Sequence, residues 1–558
     1  MKKILHVLVI VFSITTFAQA PALEWVNQVG SIGNEQLNLN AIDNNGNVFT
    51  AGTYTNSGNL VITKYDTNGL VLWTKTIGGN VKPADIKVDP VGNIILVGEF
   101  SSLVDFDPSS SAVFNLGIQN ITSPLFNFIL KLDTSGNFIY AKEIGGTPRS
   151  ICIDAVENIY LTGTFSNSKD FDPSPTITNN FTSFDGYSIF ITKLNNNAQF
   201  VWNKVIGKTT ASTSGFGNCG GNKIMNDANN NVVVTGHFSD DVDFDPGTGT
   251  TAYTSGGTAH TRNPFVLKLD VAGDFVWAKF FNSNEMSESK DMDFDSNGNI
   301  YTTGTARGFM DFDSGSGTLY LVHSYQVIPY VSKMDTNGNI IWAKQIFATD
   351  NGVDLNSIQI DNNGNIFSSG IFKHTLSYNT TTGSGTATTA GFTIYNVFLT
   401  ALNASGNLVS FNHFGGSDIT FPNKMILKNN NICVSGYFSN NVDFDFSTTV
   451  NSLTSVGMRD NYIAKYNISN FLETKSFENQ PIISLYPNPT TSQINLSFEK
   501  NLEKANLKII SSTGQTIFER QNISGNNFNY DISNLSNGMH VIKITDENSV
   551  TISKFIKQ

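Results

Sequence analysis

The residues in this chain best suited to chemistry are paired aspartates that flank a phenylalanine. Asp-Phe-Asp-Pro occurs at Asp105 and Asp107, at Asp170 and Asp172, and at Asp243 and Asp245. Variants with another fourth residue occur at Asp311 and Asp313, and at Asp443 and Asp445. On an extended backbone the two carboxylates point to one side and the phenylalanine to the other. Such pairs are candidate calcium ligands, because calcium takes six to eight oxygens. In the competing reading each phenylalanine fills the gap between repeats while the aspartates cap neighbouring turn amides. Recurrence favours the structural role, since a scaffold motif must repeat and a unique site need not.

Other constellations are weaker. Asp-x-Asn-Gly-Asn loops at Asp43, Asp295, Asp335 and Asp361 lack the distal glutamate of a calcium loop and read as Asx turns. The histidines His237, His260, His323, His374, His413 and His540 show no metal-protease spacing. No Gly-x-Ser-x-Gly motif is present, and the Gly-Ser-Gly-Thr stretch from Gly383 reads as a flexible loop. No catalytic residue is assigned and the chain is not expected to be an enzyme. No cofactor is assigned either, apart from calcium at the aspartate pairs. Glycosidic chemistry needs two carboxylates facing one substrate, and a central channel could bring distant aspartates together.

Composition sets the frame for these motifs. Only 14% of the 558 residues are charged, the net charge is −12, and glycine is frequent at 47. This suits short strands with tight turns, and the lack of a basic block excludes a nucleic-acid footprint. Lys2, Lys3, an apolar run from Ile4 to Ile14 and Ala18-Gln19-Ala20 read as a signal peptide over residues 1–20. No later run has the length of a transmembrane helix. Cys152, Cys219 and Cys433 form no disulfide framework. Cys152 and Cys433 read as buried, and Cys219, in a glycine-rich loop, as the candidate free thiol.

Internal repeats organise the chain. Segments such as DNNGNVFTAGTY from Asp43 and DSNGNIYTTGTA from Asp295 recur with a shared glycine at 52, 98, 163, 236, 304, 370 and 436. Each unit continues with an alternating run such as FVLKLD, then in most units a turn and an aromatic strand that in four places carries tryptophan. Four strands per unit of this length describe propeller blades. The last unit lacks its fourth strand, and the N-terminal LEWVNQVGS supplies a spare one with Trp25. The reading is an all-β fold: a seven-bladed β-propeller over residues 21–470, closed by the N-terminal strand. Variable, polar connections at 109–123, 247–263 and 378–394 are the expected recognition loops. These repeats resemble the secreted seven-bladed propeller repeats common in the Bacteroidetes, which is informative for fold and not for activity.

After a linker at residues 471–482 the pattern changes. Six or seven short strands over residues 483–558 predict a small immunoglobulin-like β-sandwich. Tyr486-Pro487-Asn488-Pro489, Gly514, the Asp531-Ile532-Ser533 segment, Gly538 and the closing Lys554-Phe555-Ile556-Lys557 occur in order. This segment resembles the type A C-terminal sorting domain of the type IX secretion system, with His540 where an aromatic residue is usual. The resemblance implies the type IX translocon and its sortase as partners. It also implies export through the periplasm to the outer-membrane surface or the medium. The function expected is a secreted or cell-surface, non-catalytic propeller for binding or adhesion, with a polysaccharide or protein as ligand. The alternative is a secreted polysaccharide hydrolase or lyase with acids in the propeller channel.

Overall fold

Every local signal in the repeat closes a hairpin. In the first turn of a unit, Asp295 Oδ1 accepts the amides of Asn297 (3.0 Å) and Asn299 (2.9 Å), and Oδ2 accepts Asn299 Nδ2. Asp43, Asp89, Asp154, Asp227 and Asp361 do the same. A lysine of the third strand then reaches back to the same carboxylate, as Lys268 does to Asp227 at 2.8 Å and Lys333 to Asp295 at 3.2 Å. The repeated sequence is thus a set of turn caps that fix strand register.

A computed structural model describes residues 20–558 except 31–32, 55–56, 120–124, 209–218, 256–260, 316, 348–351, 382, 392, 470–482, 512–514 and 546–549. The signal peptide, the linker and Gly514 therefore lie outside the described residues. The described chain is strand and turn, and it divides into two compact units, 1–472 and 473–558. Among the described residues no helix is long and apolar enough to cross a membrane.

In the first unit, six antiparallel sheets each have a four-stranded body built from one stretch of chain, and three of them gain one or two short extra strands. Their innermost strands are Glu35–Ile42, Asn80–Val88, Thr147–Ile153, Gly220–Asn226, Glu288–Phe294 and Asp354–Ile360. One further four-stranded sheet is composite. It joins Thr420–Lys428, Asn431–Phe438 and Asp460–Asn467 to the N-terminal strand Ala22–Val29, in that order. The chain thus carries six self-contained blades, and the count of seven in the sequence includes the composite sheet. Each innermost strand packs on the next, and Thr420–Lys428 packs on Glu35–Ile42, so the blades close a circle. All five tryptophans lie on outermost strands.

The core is the stacked interior of these sheets, with aromatic clusters such as Phe238, Phe244, Phe265 and Phe280 between neighbours. Two sequence expectations change here. Cys219 is fully buried in that cluster, because it directly precedes an innermost strand; all three cysteines are buried. Gly383–Thr388 is a strand paired with Thr375–Thr380, so the glycine-rich loop is a hairpin.

The second unit has its own apolar core, including Ile494, Leu507, Ile542 and Phe555. Instead of two stacked sheets, one sheet curls into a barrel-like wrap. Strands Gln493–Ser511 and Thr516–Asp531 are long, and register shifts at 497–502 and 502–505 bend them through the corner rather than breaking them. A parallel bridge from Thr490 to Lys557 joins the two ends of the wrap.

Candidate functional site

The five aspartate pairs occupy equivalent positions, one to a blade in five of the blades, and do not converge. Asp243 Oδ1 accepts the amides of Asp245 (3.0 Å) and Thr251 (2.8 Å), and Asp245 Oδ1 accepts that of Gly247 (2.8 Å). The pairs at Asp105/Asp107, Asp170/Asp172, Asp311/Asp313 and Asp443/Asp445 are held in the same way. The intervening Phe106, Phe171, Phe244, Phe312 and Phe444 are buried. Asp243 pairs with Gly207 and Asp443 with Gly415, each on the outermost strand of the preceding blade, which ties neighbours together.

The channel between innermost strands is filled by paired charges. Lys424 is bonded to Asp85 across the first blade, and Lys223 meets Asp291 at 2.6 Å. Ser357 Oγ and the Ile358 amide also donate to Asp291, at 2.8 and 3.0 Å. Burial works against the Asp85 carboxylate, yet Lys424, Lys87 and Lys223 hold it down at about 2. Burial pushes Asp293 up to about 6, although the Ile360 and Phe294 amides donate to it. Among the described residues these channel acids are held by lysines, a serine hydroxyl and backbone amides.

Chemistry concentrates instead where the innermost strands begin. The sequence has five arginines, four of them in the propeller, and all four sit at this mouth. Arg149 lies at the start of an innermost strand, Arg307 within a second strand beside its register shift, and Arg262 and Arg459 directly before third strands. A cleft of about 370 Å3 is lined by Arg262, Glu288, Lys290, Arg307, Asp354 and Tyr395. Lys290 bonds Asp354 at 2.5 Å and lies 3.9 Å from Glu288. Three cations against two carboxylates leave this cleft positive on a strongly acidic protein. Beside it Arg149 donates to Asn222 Oδ1 at 2.6 Å, and Asn222 Nδ2 lies 3.4 Å from His237 Nδ1. Burial, with Arg149 and Arg262 nearby, drives the His237 imidazole down to about 3, so it is neutral at physiological pH. Sequence reasoning missed these residues because none falls in a short motif. Their signal was rarity: four arginines at equivalent ends of strands in a chain of lysines.

The expected recognition loops are only partly described. The hairpin within 378–394 walls a second cleft of about 500 Å3, with Tyr378 stacked 4.4 Å from Phe411.

In the C-terminal unit the two ends of the sorting signature meet. Asn488 Nδ2 donates to the Lys554 carbonyl at 3.1 Å, and Asn488 Oδ1 accepts the Ile556 amide at 2.9 Å. Tyr486, Pro487 and Pro489 lie at this junction, Lys557 is buried and paired across the strand with Gly538, and His540 stacks on Phe555 at 5.4 Å. The imidazole thus takes the ring position of the usual aromatic residue and adds a bond to the Ser536 carbonyl at 2.8 Å.

Residues 484–558 match the secretion system C-terminal sorting domain family. Over 236 residues the chain is 27% identical to an uncharacterised WD repeat-containing protein of Acanthamoeba polyphaga mimivirus, covering 38% of this chain and 16% of that protein. Among solved structures, polysaccharide lyase Uly1 aligns at 9% identity and TM-score 0.39, over 80% of this chain and 100% of its own. An ulvan lyase of polysaccharide lyase family 25, bound to a glucuronate–sulfated rhamnose polymer, aligns at 10% identity and TM-score 0.34, over 70% and 97%. A eukaryotic initiation factor aligns at 8% identity and TM-score 0.32, over 90% and 91%. The lyases among these neighbours correct the expectation that the chain is not an enzyme. The likeness is one of fold, and a propeller fold hosts many unrelated functions. The chain is a β-propeller that ends in a type IX secretion C-terminal sorting domain, and that tail implies export to the cell surface or the extracellular space.

Proposed function

We propose that the exported propeller binds an acidic polysaccharide at the mouth of its circle of blades, displayed on the cell surface or released. One observation carries this reading: Arg262 and Arg307, two of the four propeller arginines, line one cleft together with Lys290 and Tyr395, on a chain of net charge −12. Guanidinium groups pair with carboxylates and sulfates, and an aromatic edge offers a face for a sugar ring. The test is a glycan array on the purified chain with uronate-rich, sulfated and neutral polysaccharides, including a glucuronate–sulfated rhamnose polymer. Retention of acidic glycans, lost in Arg262→Ala and Arg307→Ala, supports the reading. Equal retention of neutral glycans, or unchanged binding by both variants, overturns it.

A second reading, cleavage of the same polymer by β-elimination, is favoured by the neutral His237 held close to Arg149 and Asn222. A guanidinium that neutralises a uronate carboxylate acidifies the adjacent C5–H, and the His237 imidazole, of low basicity beside two guanidiniums, would accept that proton once the bound carboxylate offsets their charge. The C4–O bond then breaks, a C4–C5 double bond forms, and the departing glycosidic oxygen takes up the proton that the imidazole removed, directly or through water. Ultraviolet absorbance of an unsaturated uronate product, abolished in His237→Ala, is the expected signal. Its absence across all acidic polymers that bind sinks this second reading.

A further inference from the structure

We infer that the ligand path continues from the cleft across Tyr395, Phe421 and Tyr437 to Arg459, so the mouth reads a polymer with acidic groups at two separated points. This rests on the acidic-polysaccharide reading and extends it to ligand length. Tyr395 lines the cleft and also begins a run of rings. Its centroid lies 5.1 Å from that of Phe421, and Phe421 stacks on Tyr437 at 5.3 Å with an interplanar angle of 16°. Cations bracket the run, with Lys373 Nζ 5.6 Å from the Tyr395 ring and the Arg459 guanidinium 5.4 Å from the Tyr437 ring. All five side chains are half-buried, which leaves part of each accessible.

Register sets these residues apart from the scaffold. Phe421 and Tyr437 face each other where the innermost strand of the composite sheet begins. The equivalent pairs elsewhere are Lys82–Glu99, Thr147–Thr164, Gly220–His237, Glu288–Thr305 and Asp354–Ile371. An aromatic pair occurs at none of those. Blade building therefore does not require it. Aromatic faces accept the apolar C–H faces of sugar rings, and cations at each end accept the acidic groups of rings further along. Occupying both cationic points with one polymer raises affinity through effective concentration, without new chemistry at either point.

The experiment is calorimetric titration of the full chain with oligogalacturonates of graded length, from the dimer upward, with neutral oligosaccharides as control. Affinity is expected to climb once the oligomer reaches from the cleft to Arg459. Arg459→Ala, and Phe421→Leu with Tyr437→Leu, should remove that climb, about a tenfold loss for long oligomers, while leaving dimer binding unchanged. A wild type indifferent to length, or variants that keep the climb, overturns the extended path. If dimers bind and Arg262→Ala with Arg307→Ala leaves their affinity unchanged, the cleft reading itself falls, which is a distinct result. Arg459 is half-exposed, so its variant tests the path without disturbing the core.

Discussion

Val26 of the N-terminal strand lies antiparallel and directly opposite Ala464, which joins the two ends of the propeller within one sheet. The junction is fastened by Lys465, which meets Glu24 at 2.8 Å, and by the Trp25 indole, which donates to the Thr67 carbonyl of the first blade at 3.0 Å. Deleting residues 22–29 leaves a three-stranded sheet with an open edge. The truncated chain should unfold at a markedly lower temperature and be cut first within 431–467 by limited proteolysis. Trp25→Ala alone should cost about 2 kcal/mol in chemical denaturation.

The glycine shared by the repeats is required by contact rather than by a left-handed backbone. A Cβ on Gly236 would lie 1.9 Å from the Gly220 carbonyl oxygen, and one on Gly98, Gly163, Gly304, Gly370 or Gly436 would lie 1.9–2.2 Å from the matching carbonyl. These sites face the bulge where the innermost strand shifts register, as at Gly221 to Lys223. Gly236→Ala should destabilise the propeller by about 3 kcal/mol. Gly383→Ala, with nothing near its Cβ, should stay within about 0.5 kcal/mol. Urea unfolding of the two variants checks the contrast.

The channel charges make opposite contributions to the pH profile. Asp85 is held at about 2, so its contribution is complete above its ordinary value near 4 and is lost as pH falls from 4 to 2. Burial, with Asp291 nearby, pushes Asp293 up to about 6 against the opposing pull of the Ile360 and Phe294 amides and Lys223. The folded protein therefore takes up a proton there between pH 6 and 4, and stability falls as pH rises across that window. In Asp293→Asn that fall, on the order of 3 kcal/mol, should vanish. Unchanged slopes in denaturation between pH 4 and 7 would contradict the assignment. Lys424→Met, which strands the buried Asp85 carboxylate, should cost about 3 kcal/mol at pH 7.

Binding at the mouth should carry the mark of exposed charge. Affinity for an acidic polysaccharide should drop between low and high salt, because the Debye length shortens from about 30 Å at 0.01 M to about 3 Å at 1 M. Arg307→Ala should weaken binding about tenfold at low salt and reduce the salt dependence. Surface plasmon resonance at several ionic strengths reads both quantities. Salt-independent binding would place the ligand elsewhere.

Asn488 fastens the sorting signature to the last strand through both side-chain atoms. Asn488→Asp removes the donor to Lys554 and should loosen that strand by about 1 kcal/mol. Amide hydrogen exchange at Ile556 should speed up, and secretion of the full chain should fall if the assembled strand pair is what the translocon reads. Faster exchange with normal secretion would restrict the role of Asn488 to folding.

Local chemistry was legible in the sequence because turns and hairpins are local events. Aspartate two and four residues before an amide, glycine at a tight register shift, and alternating apolar runs specify blade strands without reference to anything distant. The spare tryptophan strand at one end and the missing strand at the other even indicated how the circle closes. The sorting signature was legible for the same reason, as ordered short motifs. Tertiary structure decided what proximity across blades decides. It curled the C-terminal sheet into a barrel-like wrap, sealed Asp85 and Asp291 with lysines from other blades, and buried Cys219. It also gathered Arg149, Arg262, Arg307 and Arg459 at one mouth, although they are dozens to hundreds of residues apart. Charge pairing and ring stacking act over a few ångströms of space, and only the closed circle converts such sequence separations into those distances.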